Sequence, residues 1–185
     1  SLMEVDTRGT GVPAKRGKQF DLNTLLLKVF LVFQQMKAAG AQPDLACYNV
    51  LLRACARAGD VARARSVMRE ILASPRLEPN DRSWRELIRA AATASQADIA
   101  DTIWRQGISY HHHRRLAVDE PEQRWIPSVG SFRALLRAYT REAGMTGSPE
   151  RRRKLYERVV YAYHDVLTGG RRMGFQRLDP MEILD

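Results

Sequence analysis

Only two cysteines occur in the 185 residues, Cys47 and Cys55, so no disulfide framework can organise the fold. They stand eight residues apart in a stretch that reads as helix, about 12 Å along its axis, and cannot bridge each other. Such a chain carries two buried thiols and points to a reducing compartment. Long apolar runs are missing too. The most apolar segment, Leu22 to Phe33, is interrupted by Lys28 and falls short of the roughly 20 residues a membrane span requires. A membrane is therefore not an expected partner. Catalytic constellations are equally scarce. Neither His-x-Glu nor Pro-Cys-x-x-Cys, the elements of a zinc deaminase, is present. The four histidines and two cysteines supply no acid, base and nucleophile at recognisable spacing, which predicts a binding protein without a cofactor rather than an enzyme. No start methionine and no recognisable targeting segment are found, as expected of a processed chain or a piece of a longer one.

What is abundant is arginine. Hydrophobic residues make up 44% and charged residues 28%, the composition of a chain that folds. The net charge of +9 comes from 25 arginines against 5 lysines, and planar guanidinium forks suit phosphate or carboxylate. A polyanion is the natural partner. Codon usage alone can favour arginine over lysine, so position has to decide.

Three segments align without gaps: Tyr48-Asn49-Val50-Leu51-Leu52-Arg53-Ala54, Trp84-Arg85-Glu86-Leu87-Ile88-Arg89-Ala90 and Phe132-Arg133-Ala134-Leu135-Leu136-Arg137-Ala138. Their spacings are 36 and 48 residues, and the longer interval contains the polar stretch His111 to Arg124, an apparent insertion. Each copy sets apolar groups at i, i+3, i+4 and i+7, the buried stripe of a helix. After the first copy, Gly59 can end the helix with a positive φ. Asp60 can then cap a second helix whose stripe is Val61, Ala64, Met68 and Ile71. The unit is a helical hairpin. Pro43-Asp44, Pro79-Asn80 and Pro127-Ser128 precede the three first helices as stop and cap. Upstream, Asp21 can cap a helix running to about Lys37 with Leu22, Leu25, Leu26, Val29, Phe33 and Met36 on one side. Downstream, a helix from about Pro149 to Leu167 completes the last hairpin. Stacked hairpins make an all-α solenoid.

These residues resemble the pentatricopeptide repeat. Val32 to Asp44 looks like the closing half of such a repeat, and Tyr48-Asn49-Val50-Leu51-Leu52, Ala58-Gly59, Ala64, Val67-Met68 and Pro79-Asn80 fall where that family places its own residues. The resemblance is strongest over 32–80 and weaker over 81–106 and 129–142, while the first 20 residues match nothing. The tetratricopeptide repeat is the structural competitor, but its Trp-x-x-Leu-Gly signature fails at Ile88. What the resemblance implies is a right-handed α-solenoid of about three to four hairpins that binds RNA. The divisions are an extension at 1–20, a half repeat at 21–44 and a repeat at 45–80. Degenerate repeats follow at 81–128, with an insertion at 107–125, and at 129–179, with an enlarged second helix; 180–185 begins a further helix or tail.

The residue after each aromatic starts a second row at i, i+4 and i+8, beside the apolar stripe. The rows are Asn49, Arg53, Arg57; Arg85, Arg89, Thr93; and Arg133, Arg137, Arg141. Seven of nine positions are arginine, where a random draw would give about one. Such a row would grip phosphates. In the family, the residue after the aromatic and the last of the unit choose a base together, and Asn49 with Asn80 resembles a pyrimidine-preferring pair. Arg85 and Arg133 fit no such pair, which points to recognition of phosphate and shape. Arg151 and Arg152 join the candidates, since Arg151 to Lys154 opposes the dipole of a helix N-terminus and calls for an anion. With six or seven phosphates neutralised, the expected slope of log affinity against log salt is about −4 to −5.

The resemblance further implies an organelle, the mitochondrion or alternatively the plastid. The RNA expected there is ribosomal, or else a transcript to be processed or stabilised, with ribosomal or scaffold proteins as further partners. A protein-binding scaffold is the reading from another class. His111-His112-His113 is expected on a surface loop, because adjacent residues rarely converge on one metal ion. Gly169-Gly170-Arg171-Arg172 lacks the pattern of a nucleotide-binding loop.

Overall fold

Most helices start where a short polar side chain can accept a free amide of the first turn. A computed structural model describes residues 21–116 and 128–168, and among these residues it holds seven helices and no strand. They are α1 (Leu22–Ala38), α2 (Leu45–Ala58), α3 (Val61–Ala73), α4 (Asp81–Thr93), α5 (Ala97–Leu116), α6 (Val129–Met145) and α7 (Pro149–Thr168). Asp21, Asp44, Asp60, Asn80 and Ser128 cap α1, α2, α3, α4 and α6 through their side-chain oxygens. The Ser148 hydroxyl accepts the Arg151 amide at the start of α7. Residues 1–20, the Gly169–Arg172 turn and the expected further helix at 180–185 lie outside the described residues. The polar stretch after Tyr110 differs from expectation. Residues 111–116 continue α5, so the three histidines expected on a loop belong to a helix, and the rest of the insertion lies outside the described residues.

Consecutive helices pair into hairpins, and the hairpins stack through their first members. Helix α2 packs on α4 and α4 on α6 along their lengths, whereas the second helices α3 and α5 barely meet. The outer row is joined instead by charged side chains, Lys37 to Glu70 at 3.0 Å between α1 and α3, and Arg151 to Asp98 at 2.6 Å between α7 and α5. One core runs through the stack. Phe33 meets Tyr48 edge-on at 5.0 Å, Leu52, Cys55, Met68 and Ile71 are fully enclosed, and Leu87, Ile88 and Ile103 carry the core onward to Leu135 and Leu155. Leu22, expected on the buried side of α1, is exposed at its first turn. Cys55 is buried and its thiol is pushed up to about 12, chiefly by loss of water; Cys47 is only half-buried.

The turn inside each hairpin shows how the repeats diverge. Gly59 ends α2 with φ of 71°, and a Cβ there would stand 3.2 Å from Thr93 Cγ2. Thirty-six residues on, the equivalent position is Ser95, which adopts φ of 58° without glycine's freedom. Replacing Ser95 by glycine relieves that left-handed conformation. The Ser95→Gly protein is expected to gain about 1 kcal/mol. Thermal denaturation followed by circular dichroism checks this, and an unchanged or lower midpoint would contradict it.

Candidate nucleic-acid interface

The position after the first aromatic is not an open site. Asn49 is 4% exposed, because the start of α4 lies across it. The Ser83 hydroxyl donates to Asn49 Oδ1 at 2.8 Å and sits 3.2 Å from Asn80 Oδ1, while the Asn80 amide donates to that hydroxyl. Asn49 and Asn80, expected from the sequence to act as a pair, are thus brought together. Ser83, which joins them, is not among the residues the sequence pattern marks. The capping spacing does carry a signal for it, since the residue three after an N-cap faces back across the helix start.

At the next joint the same work falls to Asp81. Its Oδ1 accepts from the Ser131 hydroxyl at 2.8 Å and from the Ser128 amide at 3.1 Å. Arg85, the equivalent of Asn49, lays its stem over the start of α6, where a Cβ on Gly130 would come within 3.0 Å of Arg85 Cδ. A side chain there would have to push the arginine stem aside. Starts of first helices therefore meet starts, and at the other end Gly59 meets Thr93. The first helices run parallel in one register, so the positions of Arg53, Arg89 and Arg137 succeed one another along one side of the row, about 8–10 Å apart at ordinary helix spacing.

That side is not uniformly basic. Arg53, Arg57, Arg133, Arg137 and Arg141 are exposed and have no carboxylate partner among the described residues. The middle hairpin differs. Arg89 Nη1 donates to both oxygens of Glu86, at 2.8 and 3.2 Å, and Arg85 lies 3.6 Å from Asp81 and 3.9 Å from Glu86. The Glu86 side chain is only 4% exposed beneath them. An unbroken row of free guanidinium groups, as the sequence suggests, is replaced by two free clusters on either side of a neutralised centre. The spacings i, i+3 and i, i+4 that link Glu86 to Arg89 and Asp81 to Arg85 are legible in the sequence.

Arg151 is also engaged. It holds Glu142 at 2.6 Å and Asp98 at 2.6 Å, so the anion expected at the N-terminus of α7 is supplied by the chain itself. The bond to Glu142 and then that to Asp98 raise the Arg151 pKa. Burial works against the Asp98 carboxylate, but bonds from Arg158 and Arg151 outweigh it and hold the group below its ordinary value. Glu142 further accepts the amide of Ala97 at 2.7 Å, tying α6 to the start of α5. Arg152 remains exposed and donates to the Thr146 carbonyl at 3.1 Å. Among the described residues no group of histidine, cysteine and carboxylate side chains could hold a metal ion, and no helix is long and apolar enough to cross a membrane.

Parallel helical hairpins stacked through their first helices define a helical-repeat protein of the solenoid class. The chain belongs to the pentatricopeptide repeat family: the family model described as the pentacotripeptide-repeat region of PRORP matches residues 14–110, more than half of it. This match takes in residues 14–20, where no resemblance was expected, and stops short of the third repeat copy at Phe132. No curated protein matches the chain.

Proposed function

We propose that this chain binds RNA along the exposed side of α2, α4 and α6, chiefly through phosphates. The observation that carries the proposal is the pair of free arginine clusters, Arg53 with Arg57 and Arg133 with Arg137 and Arg141, on equivalent positions of helices stacked in one register. Like charges at i, i+4 disfavour a helix unless an anion compensates, and here no carboxylate among the described residues does so. Family membership supports RNA as that anion. Arg152 extends the basic surface at the start of α7, whereas Arg151 is already neutralised.

The number of free groups sets the salt dependence. Five phosphate contacts at about 0.7 each give a slope near −3.5 for a single strand. That is shallower than the sequence alone suggests, because Arg85, Arg89 and Arg151 hold carboxylates. Titrating a fluorescent single-stranded oligouridylate at several salt concentrations checks it. A slope between about −3 and −4 is expected, while no measurable binding at low salt would favour a protein-binding scaffold.

Binding through phosphate and shape suits a protein built onto a structured RNA better than a free reader of transcripts. The organelle that the family implies is the mitochondrion, with the plastid as alternative, and the RNA is ribosomal. Recovery of the protein in a ribosome-sized particle is the expected result; a small complex with one transcript would select the processing or stability role. In either role the chain acts by binding and not by catalysis.

A further inference from the structure

The most unusual group on the proposed RNA-binding side is a carboxylate. Glu86 occupies the position that Val50 holds in α2 and Ala134 in α6, yet its side chain is only 4% exposed. Two guanidinium groups cover it. Arg89 straddles both its oxygens through one nitrogen, Nη1, leaving its Nη2 and Nε edge uncommitted, and the Arg89 side chain is 39% exposed. Arg85 lies over the other side, its stem held by Gly130 and its head by Asp81 and Glu86.

We infer that Glu86 is a positioning residue: it withholds Arg85 and Arg89 from phosphates and fixes them as flat guanidinium surfaces against which a base can lie. The inference rests on RNA binding along this side. The charge of Arg89 is already balanced by the buried Glu86 and that of Arg85 by Asp81 and Glu86, so drawing either charge fully onto a phosphate would weaken a pair that burial makes costly to break. The centre of the row therefore adds little to counterion release. A guanidinium plane still stacks on a base while one of its edges is bonded to a carboxylate, a contact indifferent to salt. Phosphates are held by the flanking clusters, and the base that passes between them meets Arg85 and Arg89.

Three variants of the full chain separate this arrangement from a merely structural salt bridge, with the oligouridylate as probe and circular dichroism as the check on folding. In Glu86→Gln Arg89 is released to a phosphate while Asp81 still holds Arg85, and the salt slope steepens by about 0.7. In Arg89→Gln affinity falls but the slope stays at the wild-type value, because no phosphate contact is lost. In Arg53→Gln the slope becomes shallower by about 0.7. A structural bridge alone would leave the Glu86→Gln slope unchanged, which overturns the inference. It is overturned equally if Arg89→Gln flattens the slope as Arg53→Gln does. Should Glu86→Gln fail to fold, the comparison of Arg89→Gln with Arg53→Gln decides alone. Absence of RNA binding by the wild-type chain would instead remove the reading on which the inference stands.

Discussion

Replacing Arg53, Arg137 and Arg141 together by glutamine is expected to lower affinity for single-stranded RNA about a hundredfold near 0.1 M salt, with helix content unchanged. Each arginine is exposed and has no carboxylate partner among the described residues, so its loss breaks no internal ion pair. Three lost contacts at about 0.7 each cut the salt slope by about 2, and the difference in affinity converges toward zero as salt approaches molar concentration. Choosing these three matters. Arg89 is equivalent to Arg53 and Arg137 by sequence position but is bonded to Glu86, so a triple variant including it would mix lost charge with a disturbed core. Fluorescence anisotropy at several salt concentrations reads both quantities. A triple variant that binds as the wild type does would remove these arginines from the interface.

Truncating Trp84 is expected to be the most destabilising single change. Trp84 is 2% exposed and stands between α4 and α5, its ring 5.8 Å from that of Tyr110. A Cβ on Gly107 would touch it at 3.1 Å. The glycine thus lets α5 close directly onto the indole. Trp84→Ala leaves a cavity no neighbour can fill, and costs about 3–5 kcal/mol. In a stack where each hairpin leans only on its neighbours, damage at the middle one disconnects the two ends. The thermal midpoint should fall by roughly 10 °C, or unfolding should split into two steps. The indole Nε1 is buried without a hydrogen-bond partner among the described residues, so Trp84→Phe, which removes that donor with less loss of volume, is expected to stay nearer wild-type stability than Trp84→Ala. A midpoint lowered as far in Trp84→Phe as in Trp84→Ala would contradict this expectation.

The sequence exposes most of the fold because helix signals are local. Apolar residues at i, i+3 and i+4 mark the buried faces of α2, α4 and α6, and Asp21, Asp44, Asp60, Asn80 and Ser128 mark where helices start. Less local features escape. Ser95 gives no sign of a left-handed turn, since only its alignment with Gly59 reveals it. The histidines after Tyr110 read as loop because a polar run carries no amphipathic stripe, yet 111–116 continue a helix.

The candidate site is legible in position but not in state. Periodicity puts the arginines on one side of the first helices; it cannot tell which are free. Glu86 reads as one more solvated acid on a basic face, whereas in the stack it is buried beneath Arg85 and Arg89. Asn49 looks accessible because a single helix leaves that position open, whereas the following helix covers it. Burial of such groups belongs to the joint between two repeats, and no window within one repeat contains it.

The contrast between the two rows of helices has a mechanical consequence. Along the inner row, short side chains such as Ser83 and Ser131 lock neighbouring backbones together, while long ionic tethers such as Lys37 to Glu70 span the outer row. The joints are thus fastened by buried bonds at one edge and by exposed ion pairs at the other. Dissolved ions weaken exposed tethers first. Rising salt should therefore loosen the outer edge of the stack before the inner one, even with no strand bound.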